Sequence, residues 1–140
     1  MTRNFLSIIA GLISCFLVIF IIEIIGHTLN PLPVDINNPE AFRNYIQHDA
    51  PEAFYLFILS GYAIGSFTGG FVTAWISMNK KIIRAVTVGG IVMGLGIYNM
   101  VLIRHPSWVI LTAFFTFLPF AYLGGRMGKN FSTKRQQISH

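Results

Sequence analysis

Apolar residues fall into four long runs, residues 5–27, 53–77, 82–103 and 108–127, separated by two short polar breaks and one longer one. Each run holds about 20 residues or more, and at ~1.5 Å of rise per residue a helix of that length crosses a ~30 Å hydrocarbon core. Backbone placed in lipid must satisfy its own hydrogen bonds, which makes helices the economical reading. The pattern predicts an all-α membrane protein: a four-transmembrane-helix bundle forming one domain over residues 1–128, then a polar, basic, disordered tail over 129–140.

The breaks carry their own structural signals. Pro31 and Pro33 stop the first helix, since proline lacks an N–H and restricts the residue before it. Asn38-Pro39-Glu40 then has the order of a helix start: a capping side chain, proline in the first turn and an acid beside it. Phe42, Tyr45 and Ile46 fall on one face at i, i+3 and i+4. The longer break therefore predicts a short amphipathic helix on the membrane surface or capping the bundle. Asp49-Ala50-Pro51-Glu52 repeats the start signal ahead of the second run. Asn79-Lys80-Lys81 and Arg104-His105-Pro106-Ser107 are short, so the runs they join are antiparallel neighbours. Trp75 and Trp108 suit the two interfacial belts, and Pro119 is expected to kink the last helix or be compensated by a neighbour.

Composition agrees with this architecture. Charged residues make up 11% of the chain, against about 25% in a soluble domain. The formal charge is +5, and its distribution says more than its total. Arg3, Lys80, Lys81, Arg84, Arg126, Lys129, Lys134 and Arg135 belong to one side, while Asp35, Glu40, Asp49 and Glu52 gather with Arg43 and Arg104 on the other. Lys and Arg mark the cytoplasmic side. Both termini are therefore expected in the cytoplasm, with the chain in a bacterial inner membrane. The expected partners are the lipid bilayer and then a second copy or another membrane protein. The basic tail suits anionic headgroups rather than nucleic acid, because it is short and has no interleaved aromatic platform. Cys15 stands alone, which excludes an intramolecular disulfide. Leu12-Ile13-Ser14-Cys15 resembles a bacterial lipoprotein cleavage box, but apolar residues continue from Phe16 to Ile25, so the first run is expected to be a retained anchor.

Glycines recur at helical spacing. Gly61, Gly65 and Gly69 repeat every four residues in the second run, Gly90 and Gly94 in the third, and Gly124 and Gly128 at the end of the fourth. Small residues let helix backbones approach closely and gain contacts that lipid cannot replace. These glycines are expected to build the bundle, with a homodimer face or pore lining as the alternative. Ser7, Gly11 and Cys15 give the first run a looser version. Gly89 and Gly96 form a second stripe on the third, which suits a central helix or one that also meets another protomer.

Glu23 is the one acidic residue inside the four runs. A charge in hydrocarbon costs a few kcal/mol, so it usually has a partner and often a task. His27 lies four residues on and shares its face. Tyr98, Asn99 and Thr112 are expected at similar depth, with Arg104 and His105 capping this polar layer from the nearby turn and His48 in reach only if the long loop folds back. In one reading the layer is structural: Glu23 pairs with Arg104 or His27, and Asn99 bonds across helices. In a second, Glu23 exchanges a proton for a cationic or polar solute. In a third, Glu23, His27, His105 and His48 hold zinc, although Glu-x-x-x-His offers only two ligands and no HExxH motif is present.

Two resemblances bear on these readings. Glu23-Ile24-Ile25-Gly26-His27-Thr28-Leu29 resembles the first-helix segment of the small multidrug resistance transporters, which implies a proton-coupled glutamate at Glu23. Over roughly residues 1–128 the chain resembles a widespread set of uncharacterised bacterial four-span proteins. That likeness rests on Glu-x-x-Gly-His, Asn-Pro-Glu-Ala, Gly65-Ser66-Phe67-Thr68-Gly69-Gly70, His105-Pro106-x-Trp108 and Leu123-Gly124-Gly125-Arg126. It implies the topology and no activity.

The expectation is a non-enzymatic structural or interaction bundle without cofactor or metal, with a small proton-coupled transporter working through Glu23 as the alternative. The orientation is testable directly. A cysteine replacing Asn44 should react with an impermeant thiol reagent added outside intact cells, and one replacing Ser132 only after permeabilisation. Labelling at position 132 from outside would reverse the topology.

Overall fold

The computed structural model describes residues 2–35 and 37–138. Five α-helices follow one another: α1 (Thr2–Leu29), α2 (Pro39–Asn44), α3 (Glu52–Ile76), α4 (Lys81–Ile103) and α5 (Ser107–Ile138). All except α2 are long and apolar enough to cross a membrane, and no strand occurs among the described residues. The chain is an all-α four-helix bundle with a short extra helix, and its four apolar helices are compatible with a multi-pass membrane protein.

The local signals act as their chemistry requires. Asn38 caps α2, its side-chain oxygen accepting from the Ala41 N–H at 3.2 Å. The end of this short helix widens into a five-residue π turn, Tyr45–Asp49. Pro51 takes the cap position of α3 and contributes no side-chain bond there. Lys80 and Arg104 adopt left-handed backbone with φ of 46° and 63° at the two ends of α4, reversing the chain in few residues. α5 runs through Pro119 as one helix.

The tail differs from expectation. Residues 129–138, expected as disordered chain, continue α5. No proline or glycine follows Gly128 to stop the helix, and its next turn is packed. Phe131 meets Phe71 and Trp75 with ring centroids 6.2 Å apart in each case. Lys81 Nζ donates to Ser132 Oγ at 2.6 Å. Ser132 is therefore shielded, and exposed Thr133 is the neighbouring position that a thiol reagent would reach as cysteine. Ser139 and His140, the last residues of the expected tail, lie outside the described residues.

α3 is the central helix. It packs most extensively on α5 and α1 and less on α4, while α1 and α4 barely touch. Glycines bring the backbones together. A side chain at Gly70 would run into the Ala121 carbonyl, and one at Gly124 or Gly128 into the carbonyl of Phe67 or Phe71. Gly69 faces Gly11 and Cys15 of α1, with the Gly11 carbonyl 2.8 Å from an added Cβ. Gly65 also packs tightly on α1, and Gly61 meets Ile22 in ordinary contact. On α4 the expected glycines are not the packing ones. Gly90 and Gly94 have nothing within 4 Å of an added Cβ, whereas Gly89 abuts Ala121 and Gly96 lies under the Phe117 ring. The stripes are nearly opposite on one helix, so only one can face α5, and it is the one in register with Ala85, Val88 and Val92.

The end of the bundle rich in Lys and Arg is pinned by polar links. Ser7 and Ser77 share a buried hydrogen bond of 2.7 Å. Asn4 Oδ1 accepts from Arg84 at 2.6 Å and from the Met78 N–H at 3.1 Å. Arg84 also donates to Asn79 Oδ1 at 2.6 Å, and Arg3 Nε to the Ile76 carbonyl at 3.2 Å.

Two substitutions separate the glycine classes. Gly124→Val should lower thermal stability in detergent by about 1–3 kcal/mol or block folding, as overpacking does. Gly94→Ala should leave stability unchanged or raise it by about 0.5–1 kcal/mol, because glycine is a poor helix former. Equal losses in the two melting curves would contradict the assignment.

Candidate functional site

The site is built where the α1 contact row turns away from α3. Ser7, Gly11, Cys15 and Ile19 are buried in sequence along that row. Each four-residue step overshoots a full helical turn by about 40°, so the row drifts as it climbs. Glu23 is half-buried, and the next contact with α3 is made by Gly26, packed on Phe57. His27 has rotated into an exposed position, its ring edge-on to Phe54 at 5.6 Å.

Two spaces open around Glu23. The first is a cavity of about 120 Å³ lined by Glu23, His27, Tyr62, Asn99 and His105 among apolar side chains. Phe42 and Ile46, from the apolar face of α2 and its π turn, lie over it. The second is an open groove of about 530 Å³ between α1 and α4, walled by Phe16, Leu17, Phe20, Val92 and Leu95, with Tyr62 of α3 also lining it. Glu23, Tyr62 and Asn99 line both spaces. Neither is lined by any residue before Phe16 on α1 or before Val92 on α4, so both belong to the half of the bundle beneath α2.

The lid is held from several directions. Tyr55 OH donates to the Ile46 carbonyl in a buried bond. The Tyr55 ring packs edge-on to Trp108 at 5.5 Å and to His105 at 6.3 Å. Glu40 of α2 pairs with Arg43 at 3.1 Å and with Arg104 at 3.5 Å. With Arg104 and Glu40 half or more exposed, the latter pair contributes about 0–1 kcal/mol.

Four of the six residues expected in the polar layer, Glu23, His27, Asn99 and His105, meet at the cavity. Tyr98 does not, pointing away with 67% of its surface exposed. Arg104 is likewise absent: it pairs with Glu40, and no ion pair joins it to Glu23 among the described residues. The left-handed turn at Arg104 ends α4, and its ion pair carries it over α2 instead of down into the bundle. Thr112 satisfies itself on the Trp108 carbonyl at 2.8 Å, and His48 is exposed and does not line the cavity. Tyr62 was not anticipated. Its only sequence signal is a polar-tipped ring beside Gly61 in the glycine-rich run.

Hydrogen bonding sets the chemistry of the site. Among the described residues, no protein hydrogen bond reaches the side chains of Glu23, Tyr62 or Asn99. His105 Nδ1 faces the Met100 carbonyl at 3.3 Å, and Nε2 is buried without a partner. A carbonyl only accepts, so Nδ1 carries the hydrogen and Nε2 is left as an acceptor. Burial holds the His105 pKa below its ordinary value, opposed in part by the Met100 bond. Ser66 Oγ is the other buried polar atom without a partner among the described residues, and it does not line this cavity. No three of His, Cys, Asp and Glu among the described residues stand close enough to hold a metal ion.

The depressed His105 pKa makes stability depend on pH. The unfolded chain binds this proton near the ordinary imidazole value of about 6.5, and the folded protein only at lower pH. The contribution is present in full above that value and is lost as pH falls toward the folded pKa. Acidifying from pH 7.5 to about 5 should therefore lower the melting temperature of wild type more than that of His105→Gln; parallel curves would contradict a buried neutral His105.

No protein family, curated protein or solved structure matches this chain, so its function is argued from the chemistry of the site.

Proposed function

We propose that this is a non-enzymatic multi-pass membrane protein of a bacterial inner membrane that works by binding a small, donor-rich organic cation in the cavity beneath α2. The loop end would face outward and the basic end, with both termini, the cytoplasm. One observation carries the reading: Glu23 is half-buried, has no ionic partner among the described residues, and opens onto both the cavity and the groove.

Cation binding follows from the unmet groups. A carboxylate accepts only, a histidine Nε2 lone pair accepts, and the asparagine amide and tyrosine hydroxyl each accept as well as donate. An ammonium or guanidinium brings a charge for Glu23 and several donors at once. The alternative role, a purely structural polar clasp, loses support because neither expected partner pairs with Glu23 among the described residues: Arg104 is engaged by Glu40, and His27 forms no ion pair with it. Transport is also less well supported. Within one protomer neither space continues past Phe16 or Val92 toward the basic end, where Ser7, Ser77 and the glycine contacts close the bundle.

Glu23→Gln separates binding from clasp by the sign of its effect. If Glu23 waits for a ligand, neutralising it should leave the ligand-free melting temperature unchanged or raise it, because an unpaired carboxylate in apolar surroundings is costly. A structural clasp should lose about 1–3 kcal/mol. In lipid nanodiscs, small alkylammonium or guanidinium ions should raise the melting temperature of wild type and not of the variant, by about 2.7 kcal/mol of stability at one hundred times Kd. A destabilised variant, or no response to any cation in a broad panel, would contradict cation binding.

A further inference from the structure

The groove between α1 and α4 gives the cation a second feature. α1 and α4 barely touch, and both lean on α3, so the crevice between them opens sideways from the bundle. Its walls are wholly apolar over the stretch from Phe16 to Phe20 on α1 and along Val92 and Leu95 on α4. Leu17 and Leu95 line it and are 56% and 53% exposed. Polarity appears only at the Glu23 end, where Glu23, Tyr62 and Asn99 line groove and cavity together. From Phe16 to Glu23 is about 10 Å along the helix axis. A slot that is apolar along its length and carries one unpaired carboxylate at its end complements a molecule with the same division.

Resting on the reading of the cavity as a cation site, we infer that the ligand is a cationic amphiphile with a single alkyl chain. It enters from the bilayer between α1 and α4. Its chain lies along Phe16, Phe20, Val92 and Leu95, and its ammonium head reaches Glu23, Tyr62 and Asn99. The head needs no passage beneath α2, so lateral entry is compatible with the anchored lid of Tyr55 and Ile46. Binding takes the chain from one apolar setting to another, so the chain contributes through fit within the slot rather than through escape from water. The head contributes through Glu23, which forms no ion pair among the described residues.

Calorimetry in phosphatidylcholine nanodiscs tests this with ethylamine, dodecylamine and dodecanol, each corrected for its partition into protein-free discs. Dodecylamine should bind wild type at least about tenfold more tightly than ethylamine. Leu95→Trp or Leu17→Trp should abolish that gain while ethylamine still binds. Both side chains are exposed in the groove, so filling it from either wall leaves the packed core alone. Equal corrected affinities for the two amines would overturn the amphiphile and leave the cation site standing. Dodecanol binding as tightly as dodecylamine, or Glu23→Gln without effect on the amines, would overturn recognition of the head. Failure of both amines to bind would remove the cation site together with the amphiphile.

Discussion

The contact on which the rest depends is the close approach of the α3 backbone to α5 and α1. Gly70 lies against the Ala121 carbonyl, Gly124 and Gly128 lie against the carbonyls of Phe67 and Phe71, and Gly69 faces Gly11. In lipid there is no hydrophobic effect to press helices together, so dispersion contacts made by bare backbones carry much of the association. Four helices cannot all approach one another this closely. With α3 committed to α5 and α1, α4 packs on α5 and more lightly on α3, and is left almost free of α1. The groove beside Glu23 is the space that results.

That geometry explains why Glu23 lacks a partner. The α1 row that begins with Ser7 and Gly11 has drifted off α3 by the time it reaches Glu23. α4 is too far from α1 to close over the carboxylate, although Asn99 and Tyr62 share the space with it. Arg104, the arginine of the turn after α4, pairs with Glu40 of α2 instead. The basic end shows the contrast. There Arg84, Asn4 and Asn79 satisfy one another, and Ser7 bonds to Ser77. The same fold thus completes its polar contacts at one end and leaves them open at the other.

Much of this was legible in the chain. Four runs of spanning length gave the helices, Asn38-Pro39-Glu40 gave α2 with its cap, and Glu23, His27, Asn99 and His105 line one cavity. What failed depends on rotation about helix axes. Gly90 and Gly94 have the same spacing as Gly124 and Gly128, and only the packing of α4 decides that they face away. Tyr98 and Asn99 are adjacent, and a turn of about 100° separates a residue at the groove from one pointing outward. The position of Arg104 in the turn after α4 suggests a cap on the polar layer, whereas its left-handed backbone and the position of α2 send it to Glu40. The helical extension of α5 was hidden because polar composition spoke for disorder, while Phe131 and Ser132 find partners only in three dimensions.

The central claim is that close packing of α3 leaves Glu23 unpaired and open to the bilayer through the α1–α4 groove. Its most direct test is the reaction of the protein in nanodiscs with the lipophilic carboxyl reagent dicyclohexylcarbodiimide, with the modified site identified by peptide mass spectrometry. The account predicts selective modification of Glu23 over Asp35, Glu40, Asp49 and Glu52, slowed when the groove is filled by Leu95→Trp. An unmodified Glu23, or one whose reaction is indifferent to the filled groove, would contradict it.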